Sequence, residues 1–389
     1  MPIGISSVKK STLIFLIYLS FSLDSLLKVD LKIQVHLGLM LMLIFNCYYI
    51  LKFPAAMART LYKEITFVLF FVYCILNGIY FIDVGGLHNL IYILLSVNTL
   101  IFVALTFKYW NRDFFYWFQI LMIMTGMIQF LLYKIAGFQL AFIDADHYQK
   151  ASSVAHRLRG FFIEPNWFAI ALAFNSLLLL GSQPLSFIQK NPFVSLLTIV
   201  VMIVNGTLAT LSILILIYSL PLLKKNFLRG LFFSICIGII FFGAIGFRGL
   251  VSEKEPDQSV LNYSSRLIPF LRVSSYQIDS GGLSILFGHG FGSWGTLAIE
   301  NRLSALVHEE GVNVRDGSEI PVILFEIGLL GIFMIFLDNL KVYLRIDAGD
   351  YHLRGGILLF LVCLFLYPTL KFWMYMPYYF YIRCYSLCR

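Results

Sequence analysis

Long apolar runs, each closed by a short polar or basic stretch, fill the chain from about residue 12 to residue 380. A helix that crosses the hydrocarbon core of a bilayer needs about 20 predominantly apolar residues. That ruler predicts spans at 12–27, 33–51, 65–82, 88–107, 114–133, 166–181, 193–205, 208–223, 229–247, 319–338 and 356–380. The expected fold is an all-α polytopic membrane protein of about eleven helices, within a range of about ten to twelve. Residues 1–389 then form one integral membrane domain, since no period of repeats divides them. Two places leave the count open. The pair 193–205 and 208–223 is joined only by Asn205-Gly206-Thr207, as a tight hairpin or one broken helix. The last run contains Pro368, Lys371 and Pro377, which kink it or make it re-enter, so the side of the C-terminus is open. The remaining polar sequence gathers into two longer segments, 134–165 and 248–318.

Composition closes off other classes. Of the 389 residues 59% are hydrophobic and 13% charged, against roughly 25% charged in an ordinary soluble domain, which excludes a soluble reading. The 38 Phe and 22 Tyr suit a lipid-facing surface with amphipathic rings near the headgroups. A net charge of +8 would suggest nucleic acid in a soluble protein. Here the Lys and Arg cluster between apolar runs, so charge is a topology signal and no nucleic-acid partner is expected. Lys9 and Lys10 before the first run imitate a signal peptide, but no small-x-small cleavage site follows, and the run is read as the first span.

With the N-terminus inside, Lys52/Arg59/Lys63, Lys108/Arg112, Lys190, Lys224/Lys225/Arg229 and Lys341/Arg345/Arg354 all fall in short cytoplasmic loops. The two long segments are then extracytoplasmic, and they carry Arg157, Arg159, Arg266, Arg272, Arg302 and Arg315 against the bias that ordered the rest. Cys47, Cys74, Cys236 and Cys363 lie inside apolar runs, match no zinc pattern and are expected as free thiols, while Cys384 and Cys388 are close enough to pair but a disulfide is not expected.

Three stretches could carry chemistry. The first is Arg157-Leu-Arg159-Gly-Phe-Phe-Ile-Glu164-Pro-Asn166, running into the span at 166. Two arginines outside a helix start form a pocket suited to phosphate, or to anionic headgroups. Pro165 fits the first helical turn, where Glu164 favours the N-terminal dipole whether or not it acts on substrate. The second is Ser265-Arg266 with Arg272, followed by Gly288-His289-Gly290-Phe-Gly292. Those glycines allow close backbone approach and can present N–H groups to an anion or sugar, or form an ordinary turn. The third runs from His308 through Asp316 and Glu319 to Glu326 and Gly328. Its carboxylates are candidate bases or helix caps, and an ionisable residue at the depth of Glu326 faces a polar interior or a salt-bridge partner. Asp144-Ala-Asp146 is a weak metal motif, and no metal or other cofactor is expected.

In this order, R-x-x-G-F-F-x-E-P-N, then Ser-Arg and L-F-G-H-G-F-G-S, then E-x-G-L-L-G, the chain resembles the O-antigen polymerase and ligase superfamily, most closely the Wzy-type O-antigen polymerases. The resemblance implies a metal-independent, C-type glycosyltransferase acting at the periplasmic face of a bacterial inner membrane. Its substrate would be undecaprenyl-pyrophosphate-linked oligosaccharide, transferred onto the next lipid-linked repeat unit, and a chain-length regulator would be a partner. It implies pyrophosphate binding by Arg157 and Arg266, with Arg159 and Arg272 as near substitutes, and contributions from Asn166, Gly288, His289, Gly290 and Gly292. The base is open among Asp316, His308 and Glu164, because Gly317 stands where related proteins often place a histidine before the E-x-G-L-L-G helix. The alternatives are a ligase of the same superfamily and, from another class, a lipid-linked oligosaccharide flippase.

Overall fold

The computed structural model describes residues 7–22, 28–30, 34–80, 90–137, 157–162, 165–206, 208–225, 257–298, 300–303, 319–366 and 376–388. These are almost wholly helical. The first half holds α1 (Ser7–Ser22), α2 (Leu37–Lys52), α3 (Pro54–Lys63), α4 (Ile65–Tyr80), α5 (Leu90–Thr106) and α6 (Arg112–Ala136). Then come α7 (Pro165–Leu180), α8 (Pro184–Lys190), α9 (Pro192–Asn205) and α10 (Leu208–Lys225). The last part comprises α11 (Asp257–Ser280), α12 (Gly282–Phe287), α13 (Glu319–Arg345), α14 (Tyr351–Leu366) and α15 (Met376–Cys388). One non-helical device interrupts this order. Strands β1 (Lys28–Asp30) and β2 (Gln34–His36) pair antiparallel between α1 and α2, with Val29 opposite Val35.

Among the described residues, α6 and α13 are each long and apolar enough to cross a membrane alone. Two bent pairs, α2 with α3 and α7 with α8, raise that to four if each is one span. Of the eleven runs marked by hydropathy, two to four therefore meet the length test. Helices α4, α5, α9 and α14 have 16, 17, 14 and 16 residues, about 21–26 Å at 1.5 Å per residue, short of a core of about 30 Å. The run at 229–247 lies outside the described residues.

Two open points of the chain trace acquire a form. Gly206, at φ 74°, ends α9. Asn205 at that end donates to the carbonyls of Leu158 and Pro165, beside the start of α7, whereas Tyr218 of α10 donates to Leu177 and Gly181 near the end of α7. Helices α9 and α10 are thus an antiparallel hairpin. The final run is not one span but two helices: Gly356 of α14 faces Ile382 of α15, and Phe360 stacks on Tyr379 at 4.2 Å, so α15 returns alongside α14. A methyl group on Gly355 or Gly356 would meet Ile217 or Ile382 within 2.4 Å; the missing side chains let these helices touch. The segment 248–318 contains the 24-residue α11 with Pro269 inside it.

Contacts along α13 define two ends of the bundle. Its first half meets the last part of α4, where Tyr73 donates to Ile327 O. Its second half meets the start of α4, where Thr66 donates to Asp338 at 2.6 Å. At that second end, Tyr351 of α14 donates to Ser182 just past α7, and Arg354 donates to Ile346. Lys63, Lys190, Lys341, Arg345 and Arg354 therefore share one end, here termed the basic end. The starts of α7 and α13 lie at the other.

The distribution of polarity is inverted relative to a water-soluble core. Leu43, Ile44, Leu76, Leu340 and Leu344 are exposed, whereas Asn46, Gln119, Asn175, Asn205, Glu326, Asp338 and Arg383 are buried. Apolar residues outward and polar residues inward are what a hydrocarbon solvent favours. Several of the buried polar groups are bonded to one another. Gln119 donates to Ser176 at 2.9 Å and to Thr198 at 3.0 Å, and accepts from Asn175 at 2.6 Å, tying α6, α7 and α9 together. Around them lies one aromatic-rich core in which Tyr18 packs on Trp110, Phe114, Phe118 and Tyr378.

Candidate functional site at the glycine loop

Helix α13 is broken at Gly328, whose φ of 64° and ψ of −170° no side-chain-bearing residue adopts comfortably. A break leaves the preceding turn with carbonyls that have lost their helical N–H partners, and buried carbonyls need others. All four are taken from outside the helix. Gln277 of α11 donates its side-chain amide to Leu324 O, His289 N–H to Phe325 O at 2.7 Å, and Gly290 N–H to Glu326 O at 3.0 Å. Tyr73 of α4 donates to Ile327 O at 2.8 Å.

The close approach that makes this work requires bare backbone on both sides. A methyl group on Gly288 would lie 2.5 Å from the carbonyl carbon and oxygen of Glu326, and one on Gly328 would lie 2.4 Å from Leu286 O and 2.7 Å from Gly288 N. The glycines of L-F-G-H-G-F-G and the first glycine of E-x-G-L-L-G are thus two halves of one contact. Asn77 of α4 fixes the loop from its other side, donating to Phe287 O at 2.6 Å and accepting from Phe291 N at 2.7 Å. An Asn77→Leu substitution removes both bonds; Tyr73 OH still reaches Phe287 O at 3.3 Å, but the Phe291 amide is left unmatched, which should cost about 1–3 kcal/mol. Hydrogen exchange at the Phe291 amide is the measurement; unchanged protection would show that the loop is held without Asn77.

Two side chains inside this contact have chemistry of their own. Glu326 is 2% exposed and its Oε1 accepts from Trp294 N at 3.3 Å. The His289 ring stacks on Phe325 with centroids 4.8 Å apart and lies 5.3 Å from Tyr276. Its Nε2 is buried with no hydrogen-bond partner among the described residues. Burial lowers the pKa of His289, which favours the neutral ring. A neutral imidazole with an unoccupied nitrogen can accept or donate one proton.

A second polar group occupies the same end of the bundle, near the start of α7. Arg157 donates from Nε to Asn205 O at 3.1 Å and from Nη2 to Asn166 Oδ1 at 3.4 Å. Arg159 is 7% exposed, its backbone N–H donates to Gln129 Oε1 at 3.0 Å, and its burial lowers the guanidinium pKa. Arg157 and Asn166 are brought together, as are the Gly288–Gly292 loop and Glu326. Arg272 lies on the exposed side of α11 and donates to Arg302 O at 3.0 Å; Arg302 itself has φ 54°. Arg266 falls on α11 by its backbone. Asp316, His308 and Glu164, the three candidate bases, lie outside the described residues, as do Asp144 and Asp146.

Several positioning residues are not singled out by the sequence: Tyr73, Asn77, Gln129, Asn205 and Gln277. The first four are polar residues inside or beside an apolar run, which is a usable signal; Gln277 lies in a polar segment and carries none. The larger omission is at the basic end. There Arg383 of α15, 0% exposed, is held between Glu64 and Asp338, with Tyr379 OH 2.9 Å away.

Among the described residues, Cys47, Cys74, Cys363 and Cys384 are free thiols, and no cluster of histidine, cysteine and carboxylate groups could hold a metal ion. Compared with known proteins, the chain matches no family model and no curated protein sequence.

Proposed function

We propose that this protein is a membrane-embedded glycosyltransferase of the O-antigen polymerase type, which transfers a glycan from undecaprenyl pyrophosphate to the next lipid-linked repeat unit at the periplasmic face of the inner membrane. One observation carries the reading. The glycine loop and the E-x-G segment, 38 residues apart by the sequence interval from Gly290 to Gly328, are joined through captured helix carbonyls, at the end of the bundle where Arg157 stands beside Asn166. Motifs that resemble one family by order alone thereby gain a physical reason to occur together.

In this reading an acceptor hydroxyl attacks the anomeric carbon of the donor sugar while the bond to pyrophosphate breaks. A base takes the hydroxyl proton, and arginine neutralises the departing pyrophosphate. Arg157 and Arg266 are assigned to the pyrophosphate, with Arg159 and Arg272 in support. The base is Asp316, His308 or Glu164. The basic end then faces the cytoplasm, in keeping with the positive-inside rule.

Deletion of the gene is expected to leave lipopolysaccharide capped by a single repeat unit, and Arg157→Ala or Arg266→Ala should shorten chains towards that limit. Gel separation of the lipopolysaccharide reads both. Complete loss of O-antigen from the core would instead assign ligase activity, and normal chain length in both arginine variants would remove the arginine assignment. Elongation of lipid-linked repeats by purified protein in liposomes, without translocation, separates the proposal from a flippase.

A further inference from the structure

We propose a second ligand site, at the basic end of the bundle: a cavity that binds the phosphate group of a lipid. The cavity has a volume of about 310 Å³ and lies where α6 begins, α7 ends and α14 begins. Its lining divides by chemistry. Arg112, Ser182, Gln183, Ser186 and His352 supply polar groups, and Phe115 with the last leucines of α7 supplies an apolar wall. No carboxylate lines it among the described residues.

Three details favour a phosphate over other polar ligands. The Arg112 guanidinium sits over the Phe187 ring at 5.1 Å, a contact that restrains the group through its face and leaves its edge, which carries the N–H donors, available for bidentate binding. The His352 Nδ1 is buried and has no hydrogen-bond partner among the described residues, so a ligand oxygen would satisfy an atom that the protein leaves unmatched. Serine hydroxyls and a glutamine amide add neutral donors around these two. Of the acidic residues nearby, Asp350 accepts from Tyr385 OH at 3.3 Å and also acts electrostatically on His352, which leaves Arg112 to carry the phosphate charge, and Asp113, next to Arg112, is exposed. The apolar wall fits the glycerol and first methylene groups that follow a headgroup phosphate. Lys63 and Arg345 at the same end would draw an anionic surface towards it.

The site is independent of the glycosyltransferase reading, because none of its residues belongs to the glycine loop or the Arg157 cluster. The test uses the full chain, purified and placed in nanodiscs containing phosphatidylglycerol and diacylglycerol, with retained lipids counted by native mass spectrometry after transfer to detergent. The protein should retain phosphatidylglycerol and not diacylglycerol. Arg112→Ala and His352→Ala should each lower that retention by about ten-fold or more, the loss of one charge-assisted bond. Arg112→Lys should recover part of it, and unchanged thermal midpoints exclude misfolding as the cause. Lys190→Ala, at the same end but not lining the cavity, should change retention by less than about two-fold. Equal loss in Lys190→Ala, or none in Arg112→Ala, would overturn the proposal in favour of diffuse surface charge. Binding of glycerol phosphate or inorganic phosphate as tight as that of phosphatidylglycerol would assign the site to a soluble phosphate compound and overturn its lipid half.

Discussion

Replacing Arg383 by alanine is expected to produce the largest loss of stability of any single substitution in the bundle, about 3–5 kcal/mol. The side chain is 0% exposed and bridges Glu64, at the α3–α4 junction, to Asp338 of α13. Without it two carboxylates remain buried with no cation between them, and desolvation is no longer offset by attraction or hydrogen bonding. A control separates this from lost packing. The triple variant Glu64→Gln, Asp338→Asn, Arg383→Met removes charge and guanidinium together and should recover most of the loss, since a buried pair is often replaceable by neutral groups of similar size. Thermal unfolding of the detergent-solubilised protein is the readout. A single variant as stable as wild type would mean that water reaches the triad. A triple variant as unstable as the single one would mean that α15 is held by the shape of the arginine and not by its charge.

The second large effect is expected at the glycine contact. Gly328→Ala puts a side chain where φ is +64° and the nearest atoms, Leu286 O and Gly288 N, are backbone that cannot swing aside. Conformational strain of about 1–3 kcal/mol adds to the overlap, and an overpacked contact of this kind costs a further ~1–3 kcal/mol. The loop should leave the helix. Trp294, 2% exposed and bonded through its backbone N–H to Glu326, would then meet solvent, and its fluorescence would shift to the red. Gly288→Ala should act in the same way. Because the two glycines touch, the double variant should cost less than the sum of the singles, the mark of one shared contact. Gly282→Ala, which meets nothing within 4 Å, should leave the emission unchanged. A red shift in that variant too would show that any substitution in the segment disturbs the loop.

These two sites differ in how far the sequence discloses them. The apolar runs place most helices, since periodic burial in hydrocarbon demands length and composition that read directly. The glycine contact is half legible: Gly288, Gly290 and Gly328 stand out as bare backbone near a charged residue, but their mutual contact is a tertiary fact. The Arg383 triad is illegible. Its members are 319 and 45 residues apart, each reads locally as a polar residue at the edge of a span, and Arg383 belongs to a tail that hydropathy merges with the run before it. The last helix pair is left open for a related reason. Hydropathy measures apolar content and is blind to chain reversal, so the run at 356–380 reads equally as a kinked span or a re-entrant one. The sequence marks out the arginines of the proposed site more sharply than its base, because arginines on the less basic face conflict with a strong compositional bias, whereas a carboxylate near a helix start conflicts with nothing.

The four carbonyls at the break in α13 also bear on how the protein is made. When α13 first enters the bilayer, Leu324, Phe325, Glu326 and Ile327 present acceptors that the helix itself does not satisfy, and hydrocarbon provides no substitute for a missing donor. Tyr73 arrives early in the chain, but His289 and Gly290 belong to a loop that precedes α13 in order of synthesis and must wait for it at the membrane surface. Insertion of α13 and docking of the loop are therefore coupled steps of one assembly event, and a nascent chain truncated before Glu319 would carry the loop with its seat still missing.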